Sequence, residues 1–159
     1  MSYIRQKQVL SLKESSPSTQ TITNTYTEIA GSKAELTNAN SSAKFIYKFC
    51  FNISLTSSNS KWFLHIKLQK SNDNFSSDIN DIPGANYNVS SDEVSGTVDH
   101  LYRLNTAFFA IDNLVGTNQL RLVCRAYSNS LQPQLHESLV FDGAANSKIF
   151  DPSLIIFEV

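Results

Sequence analysis

The stretch KFIYKFCFNISL, residues 44–55, constrains the fold more than any other part of the chain, because its large apolar side chains recur at every second position. Those positions hold Phe45, Tyr47, Phe49, Phe51, Ile53 and Leu55. A period of two places successive side chains on opposite faces of a β-strand, whereas a helix would need a spacing of three to four residues. The stretch therefore predicts one long strand, and we assign Phe45, Tyr47 and Phe49 to the core or to a subunit interface.

The same period recurs through most of the chain. Further alternating or strand-like segments are QTITNTYTEI, KAELT, KWFLHIKLQK, DHLYRLNTAFFAID, NQLRLVCRAY, QLHESLVFDG and SLIIFEV. Charged residues make up 17% of the chain, against about 25% in an average domain, and Ser and Asn take their place. About eight strands separated by turn residues predict an all-β protein, an antiparallel two-sheet sandwich of the jelly-roll kind.

The first residues differ from the rest and predict a separate arm. Residues 1–19 carry the apolar side chains of Tyr3, Ile4, Val9 and Leu10, followed by a polar linker with Pro17. A short arm cannot bury these side chains by itself. It either folds back as an edge strand or docks on another protein, and residues 20–159 form the jelly-roll domain.

The last strand, SLIIFEV, is apolar on both of its faces. Ile155, Phe157 and Val159 share one parity, and Leu154 and Ile156 share the other. In residues 44–55, Ile46 and Cys50 likewise lie opposite the aromatic row. Strands that need cover on both faces lie at the centre of a sandwich or at an interface between subunits, so Ile155, Phe157 and Val159 are candidates for either place.

The segment from 71 to 97 predicts a long irregular loop with a turn at Pro83-Gly84. Two aromatic side chains in this part of the chain are candidates for exposure. Phe63 has the polar parity of its strand, and Tyr87 lies within the predicted loop. Such rings anchor protein interfaces, and in an alternative function they would contact a glycan.

No motif for an enzyme, a phosphate-binding loop or a zinc site occurs in the sequence. His65, His100 and His136 fall in three different segments, and no spacing among them requires a metal. Cys50 and Cys124 predict two buried thiols, with a cross-strand disulfide as the alternative. The net charge of −1 does not favour nucleic-acid binding, and no apolar run is long enough for a membrane helix or a signal peptide.

Residues 24–55, NTYTEIAGSKAELTNANSSAKFIYKFCFNISL, carry a recognisable pattern. A strand with Thr and Tyr ends in a TEI-G turn, a short strand ends at Thr, and a Ser-rich turn with Lys precedes the long strand. The residues that carry the pattern are Thr27, Glu28, Ile29, Gly31, Leu36, Thr37, Ser41, Ser42 and Lys44. The pattern resembles the opening of TNF-like jelly-roll domains in structural proteins of tailed-phage virions. Those proteins usually have Pro after the second Thr, where this chain has Asn38.

The resemblance implies a homotrimer that is made in the host cytoplasm and carried in the virion. It implies use as a head decoration, a fibre or a knob. Because the chain is short and its N-terminal arm with the tether resembles a docking device, we predict a non-enzymatic capsid decoration protein without a cofactor, which docks by this arm on other virion proteins, either the capsid lattice or a fibre base. The alternative is the knob of a receptor-binding fibre, with Phe63 and Tyr87 against a glycan of the host surface. Neither reading involves nucleic acid or a membrane.

Overall fold

The computed structural model describes residues 7–13, 19–39, 42–55, 63–90, 101–127, 133–136 and 151–159. Within these ranges it contains strands and no helix, and accordingly no helix of the described part is able to cross a membrane. The strands are β1 Lys7–Lys13, β2 Gln20–Thr21, β3 Thr27–Glu28, β4 Ala34–Ala39, β5 Phe45–Leu55, β6 Phe63–Ser71, β7 Asn80–Ser90, β8 Leu101–Ile111, β9 Gly116–Ala126, β10 Gln134–Leu135 and β11 Ser153–Glu158.

The strands form two antiparallel sheets, so the predicted two-sheet sandwich is confirmed. In sheet A, β5 pairs with β8 along one edge and with β11 and β10 along the other; β1 extends the sheet beyond β11, and β2 beyond β10. In sheet B, the order is β7, β6 and β9, and β9 pairs on its far edge with both β3 and β4. The chain crosses repeatedly between the sheets from β4 to β10, as in a jelly roll.

The aromatic row of β5 lies in the core between the sheets. Phe45 is almost fully buried, and Tyr47, Phe49 and Phe51 are completely buried. The rings of Phe49 and Phe51 stack with centroids 5.5 Å apart. The Tyr47 hydroxyl donates a hydrogen bond to the backbone carbonyl of Ser32. Of the two places predicted for Phe45, Tyr47 and Phe49, the structure therefore assigns all three to the core.

Sheet B faces the core with aliphatic side chains and faces outward with polar ones. On β6 the buried apolar side chains are Leu64, Ile66 and Leu68, as the alternation predicts. On the outward side, Lys67 forms an ion pair with Asp81 at 2.7 Å, and Arg121 forms one with Glu28 at 3.2 Å. Charged groups on this face thus satisfy one another across neighbouring strands.

The prediction of an irregular loop over residues 71–97 is wrong for residues 80–90, which form β7. This strand lies at the edge of sheet B, where Pro83 is tolerated because its missing N–H is not needed by a further strand. Gly84 has a φ of +75°, and the register with β6 shifts between Lys67 and Gln69. The Pro-Gly pair therefore marks an irregularity inside an edge strand and does not end it.

The remaining turn before β7 is ordered by Asp73. The carboxylate of Asp73 accepts hydrogen bonds from the backbone N–H groups of Ser76, Ser77 and Asp78 at 2.8–3.1 Å, and from the hydroxyl of Ser77 at 2.6 Å. The hydroxyl of Ser77 first of all, together with these amides, holds the pKa of Asp73 well below its usual range. This carboxylate is therefore used by its own turn.

Two further predicted strands and the two cysteines have the following outcomes in the structure. QTITNTYTEI does not form one strand but the two short strands β2 and β3, with a bend at Asn24 and Thr25 between them. QLHESLVFDG contributes β10 at its start, and its later residues lie outside the described ranges. Cys50 and Cys124 are both free thiols; Cys124 is buried, whereas Cys50 is partly exposed.

Candidate interaction surface

Three neighbouring strands of sheet A, β8, β5 and β11, present aligned side chains on its outward side. Antiparallel pairing aligns their outward side chains in rows that run across the sheet. The rows are Ala110–Ile46–Phe157, Phe108–Lys48–Ile155 and Thr106–Cys50–Ser153, with Leu104 opposite Asn52 at the end. We call this set of side chains the outer A face.

The outer A face exposes large apolar groups to solvent. Phe108 is 61% exposed and Leu104 is 62% exposed. Ile46, Ile155 and Phe157 are partly exposed beside them. Apolar side chains scattered over a surface are ordinary, but a contiguous group of this kind marks an interaction site.

Charge is nearly absent from the outer A face. Lys48 is the one charged side chain in its three rows, whereas the outward side of sheet B carries the ion pairs of Lys67 and Arg121. Depletion of charge at the centre of a contact is the compositional mark of protein interfaces. The two outward sides of the sandwich therefore differ in chemistry, and the apolar one suits contact with protein.

The dimensions of the outer A face suit the centre of an interface. Three strands about 4.8 Å apart, taken over residues 104–110 at about 3.3 Å per residue, give a projected area of roughly 300 Å². A standard interface buries about 800 Å² on each partner. The outer A face therefore supplies an apolar centre, and the remaining contact area has to come from the residues around it.

The structure brings together part of the predicted interface set. Ile155 and Phe157 lie on the outer A face, where β11 pairs with β5. Val159 follows β11 directly; it is 40% exposed, and its backbone N–H donates to the carbonyl of Lys44 at 2.9 Å. All three thus lie along the surface side of the terminal strand or just beyond it.

The predicted arm is divided by the structure. Residues 7–13 form β1, which pairs antiparallel with β11, so this part folds back as an edge strand of sheet A, one of the two alternatives. Val9 and Leu10 belong to this strand. Tyr3 and Ile4 lie outside the described residues.

Phe108 and Leu104 belong to the outer A face, although the sequence pattern alone does not indicate it. Both parities of β8 carry apolar residues, because Ala107, Phe109 and Ile111 alternate with Leu104 and Phe108. The register with β5 settles the parity by placing Ala107 opposite Phe49. The small side chain of Ala107 opposite the large buried ring of Phe49 indicates which face of β8 is buried. This indication can be recognised only when the pairing of the two strands is known.

The two aromatic residues predicted as exposed have opposite surroundings. Phe63 begins β6 and is 42% exposed. Tyr87 lies in β7, not in a loop, and packs against the core with its ring 5.7 Å from that of Phe109. Its hydroxyl is buried and forms no hydrogen bond within the part of the chain that the structure describes. Tyr87 is therefore a half-buried side chain at the margin of the core.

The described residues contain no group of three or more His, Cys, Asp or Glu side chains arranged to hold a metal ion. His65 lies on the outward side of sheet B, and His136 is buried beside β10. No protein-family model, curated protein or solved structure matches the chain.

Proposed function

We propose that this chain is a non-enzymatic structural protein of a virion, which forms a homotrimer through the outer A face and decorates a capsid. The observation that carries the proposal is that face: a row-by-row apolar surface with Phe108 and Leu104 largely exposed. The resemblance of residues 24–55 to jelly-roll proteins of tailed phages supports the trimer and the virion setting.

Burial of the outer A face drives the association. Covering a side chain such as Phe108 or Leu104 stabilises an assembly by about 1.5–3 kcal/mol relative to leaving it in water. Association costs several kcal/mol in lost freedom of motion, so more than one such side chain must be covered. Around a three-fold axis the same face of each copy turns inward, and three copies cover all of these side chains together.

Attachment to the capsid lattice uses the segment that precedes β1, with Tyr3 and Ile4 as its apolar side chains. Since β1 is paired with β11, its first residue, Lys7, lies at an edge of sheet A. A trimer presents three such segments to one lattice. Each docked segment raises the effective concentration of the next, so weak single contacts add to firm attachment.

The test compares two substitutions of exposed apolar residues by sedimentation equilibrium. Phe108→Glu places a carboxylate in the outer A face, opposite Lys48 on β5, where a cross-strand pair of opposite charge preserves the folded subunit. Val115→Glu is the matched control, since Val115 is 66% exposed but lies in the turn after β8. We expect a three-copy mass for the unchanged chain and Val115→Glu, and a single-copy mass for Phe108→Glu.

Loss of an interface Phe typically costs about 2 kcal/mol or more, so the dissociation constant should rise by roughly thirtyfold. A three-copy mass for Phe108→Glu at every concentration would place the contact elsewhere. A single-copy mass for the unchanged chain would remove the proposal altogether. Circular dichroism of both variants confirms that the sandwich is intact.

A further inference from the structure

A cleft of about 560 Å³ lies on the outward side of sheet B, the side opposite the outer A face. It is placed where β6 begins and β9 ends. The side chains that line it include Asn24, Phe63, His65, Asn88, Arg125 and Tyr127. We call it the aromatic cleft. Its size falls within the range of small-molecule sites.

Two aromatic rings form one side of the aromatic cleft. The rings of Phe63 and Tyr127 meet edge to face, with centroids 6.3 Å apart and an interplanar angle of 83°. The backbone N–H of Tyr127 donates to the carbonyl of Phe63 at 3.0 Å, which fixes the two residues relative to each other. Tyr127 is 84% exposed. This exposed ring is positioned to stack on a ligand.

A row of polar side chains crosses the floor of the aromatic cleft. Antiparallel pairing places Arg125 and Asn88 on either side of His65. The Nδ1 atom of His65 shares a hydrogen bond of 2.5 Å with the hydroxyl of Tyr26, and the guanidinium of Arg125 lies 4.9 Å from the centroid of the Tyr26 ring. Tyr26 thus holds both the imidazole and the guanidinium in place.

Arg125 forms no ion pair with a carboxylate in the described part of the chain, unlike Lys67 and Arg121. Lys67 pairs with Asp81, and Arg121 pairs with Glu28. Among the described residues no carboxylate forms an ion pair with Arg125, and none of the described lining residues is acidic. A guanidinium presents a planar set of donors that matches a carboxylate in a bidentate way. The ligand it suits therefore carries one negative charge.

We propose that the aromatic cleft binds an acidic saccharide. The sugar carboxylate pairs with Arg125, the apolar face of a pyranose ring stacks on Tyr127 and Phe63, and the amide of Asn88 bonds sugar hydroxyls. In the sequence, Phe63 occupies a position on the polar face of its strand, which is why it is a candidate for glycan contact. A nucleic acid strand would need several cations along its backbone, whereas the floor of the cleft offers one arginine, which forms no ion pair with a carboxylate of the described residues.

This inference is independent of the trimer proposal, because the aromatic cleft and the outer A face lie on opposite outward sides of the sandwich. Association of copies through sheet A leaves the cleft in solvent. Failure of either proposal can therefore be recognised without reference to the other.

The experiment measures retention of the labelled protein on an array of paired glycans, each acidic glycan beside its neutral parent. Sialyllactose with lactose, and a glucuronic-acid disaccharide with its glucose counterpart, are two such pairs. A polyglutamate peptide is printed as a charged control without sugar. We expect retention on acidic glycans alone, and at least about a tenfold loss in Arg125→Gln, as for a hydrogen-bonded charged group.

Two further variants complete the design. Tyr127→Ala removes the exposed ring and should also lose retention, without affecting folding, because its side chain projects into solvent. Lys44→Gln makes the same change of charge at the opposite end of the sandwich, beside Val159, and should bind as the unchanged protein does. Absence of retention on every acidic glycan, retention that Arg125→Gln leaves unchanged, or equal retention of polyglutamate would each overturn the inference.

Discussion

Two tyrosines of the core differ in what their hydroxyl groups contact. The hydroxyl of Tyr47 donates to the Ser32 carbonyl, and burial raises the pKa of Tyr47 well above its ordinary value. The hydroxyl of Tyr87 is buried without a partner among the described residues, and burial raises its pKa as well. A buried polar group without a hydrogen bond costs free energy. The Tyr47 hydroxyl therefore stabilises the fold, whereas the Tyr87 hydroxyl destabilises it.

Replacing each tyrosine by phenylalanine should separate these contributions. Tyr87→Phe removes an unsatisfied hydroxyl and should raise the free energy of unfolding by about 1 kcal/mol. Tyr47→Phe removes a hydrogen bond and should lower it by about 1–2 kcal/mol. Urea denaturation of both variants provides the comparison. A loss of stability in Tyr87→Phe equal to that in Tyr47→Phe would mean that the Tyr87 hydroxyl has a partner.

His136 couples the stability of the fold to pH. Burial lowers the pKa of His136 from 6.5 to about 4, and the backbone of Ala30 acts in the opposite direction. The folded state binds the His136 proton less tightly than the unfolded state does. The contribution of neutral His136 to the free energy of unfolding is therefore complete above pH 6.5 and is lost as the pH falls toward 4.

The comparison uses His136→Asn, since Asn tolerates the positive φ of 61° at this position and does not titrate. Between pH 7 and pH 4.5 the unchanged chain should lose about 2 kcal/mol more stability than the variant. Chemical denaturation at the two pH values gives both losses, and taking their difference cancels the titration of the carboxylates. Equal losses of stability in the unchanged chain and in the variant would show that His136 is protonated in the folded state at pH 4.5.

At the scale of the strands, the sequence predicts some elements well and others poorly, for physical reasons. The parity of β5 is unambiguous because one face carries large rings and the other carries Lys48 and Asn52. The parity of β8 is ambiguous because both of its faces are apolar, and only pairing with β5 decides it. The Pro83-Gly84 pair predicts a loop where the structure has β7. Such a pair interrupts a central strand but is tolerated in a strand at the edge of a sheet, and the sequence does not show which of these β7 is.

The sequence alone does not predict the aromatic cleft, for a related reason. Its side chains come from three strands and from the segment between β2 and β3, and their proximity follows from the order of strands in sheet B. Phe63 alone gave a signal, since an aromatic side chain occupied a position of polar parity. Which charged side chains lie beside Arg125 depends on the strands that become its neighbours, and no local sequence pattern records that.

Removal of β1 tests its role as an edge strand. Deleting residues 1–18 exposes the edge of β11 but leaves the pairing of β11 with β5 intact, so the domain should still fold. Loss of the strand's hydrogen bonds, worth about 1 kcal/mol each and partly offset by regained chain entropy, should lower the free energy of unfolding by about 2–4 kcal/mol. Unchanged stability in urea denaturation would show that the arm does not belong to the sandwich.

At the scale of the whole molecule, the two outward sides of the sandwich differ in chemistry. The three rows of the outer A face hold apolar side chains and one charged residue, Lys48, and in our proposal further copies of the chain cover them. Sheet B presents paired charges and the aromatic cleft, which in our proposal stays in solvent. Both surfaces rest on the same core, in which the aromatic row of β5 fixes which side chains of sheet A must face outward.

The most direct test of this account is the reaction rate of Cys50 with a maleimide. Cys50 lies on the outer A face, with its Sγ atom 3.4 Å from the Oγ1 atom of Thr106. Cys124 is an internal control, since it is completely buried and burial raises its pKa to about 12. We predict that Cys50 reacts slowly in the unchanged protein and at least about tenfold faster in Phe108→Glu, as exposure of a covered group requires. Equal rates for Cys50 in the two proteins would contradict the claim that this face is covered between copies.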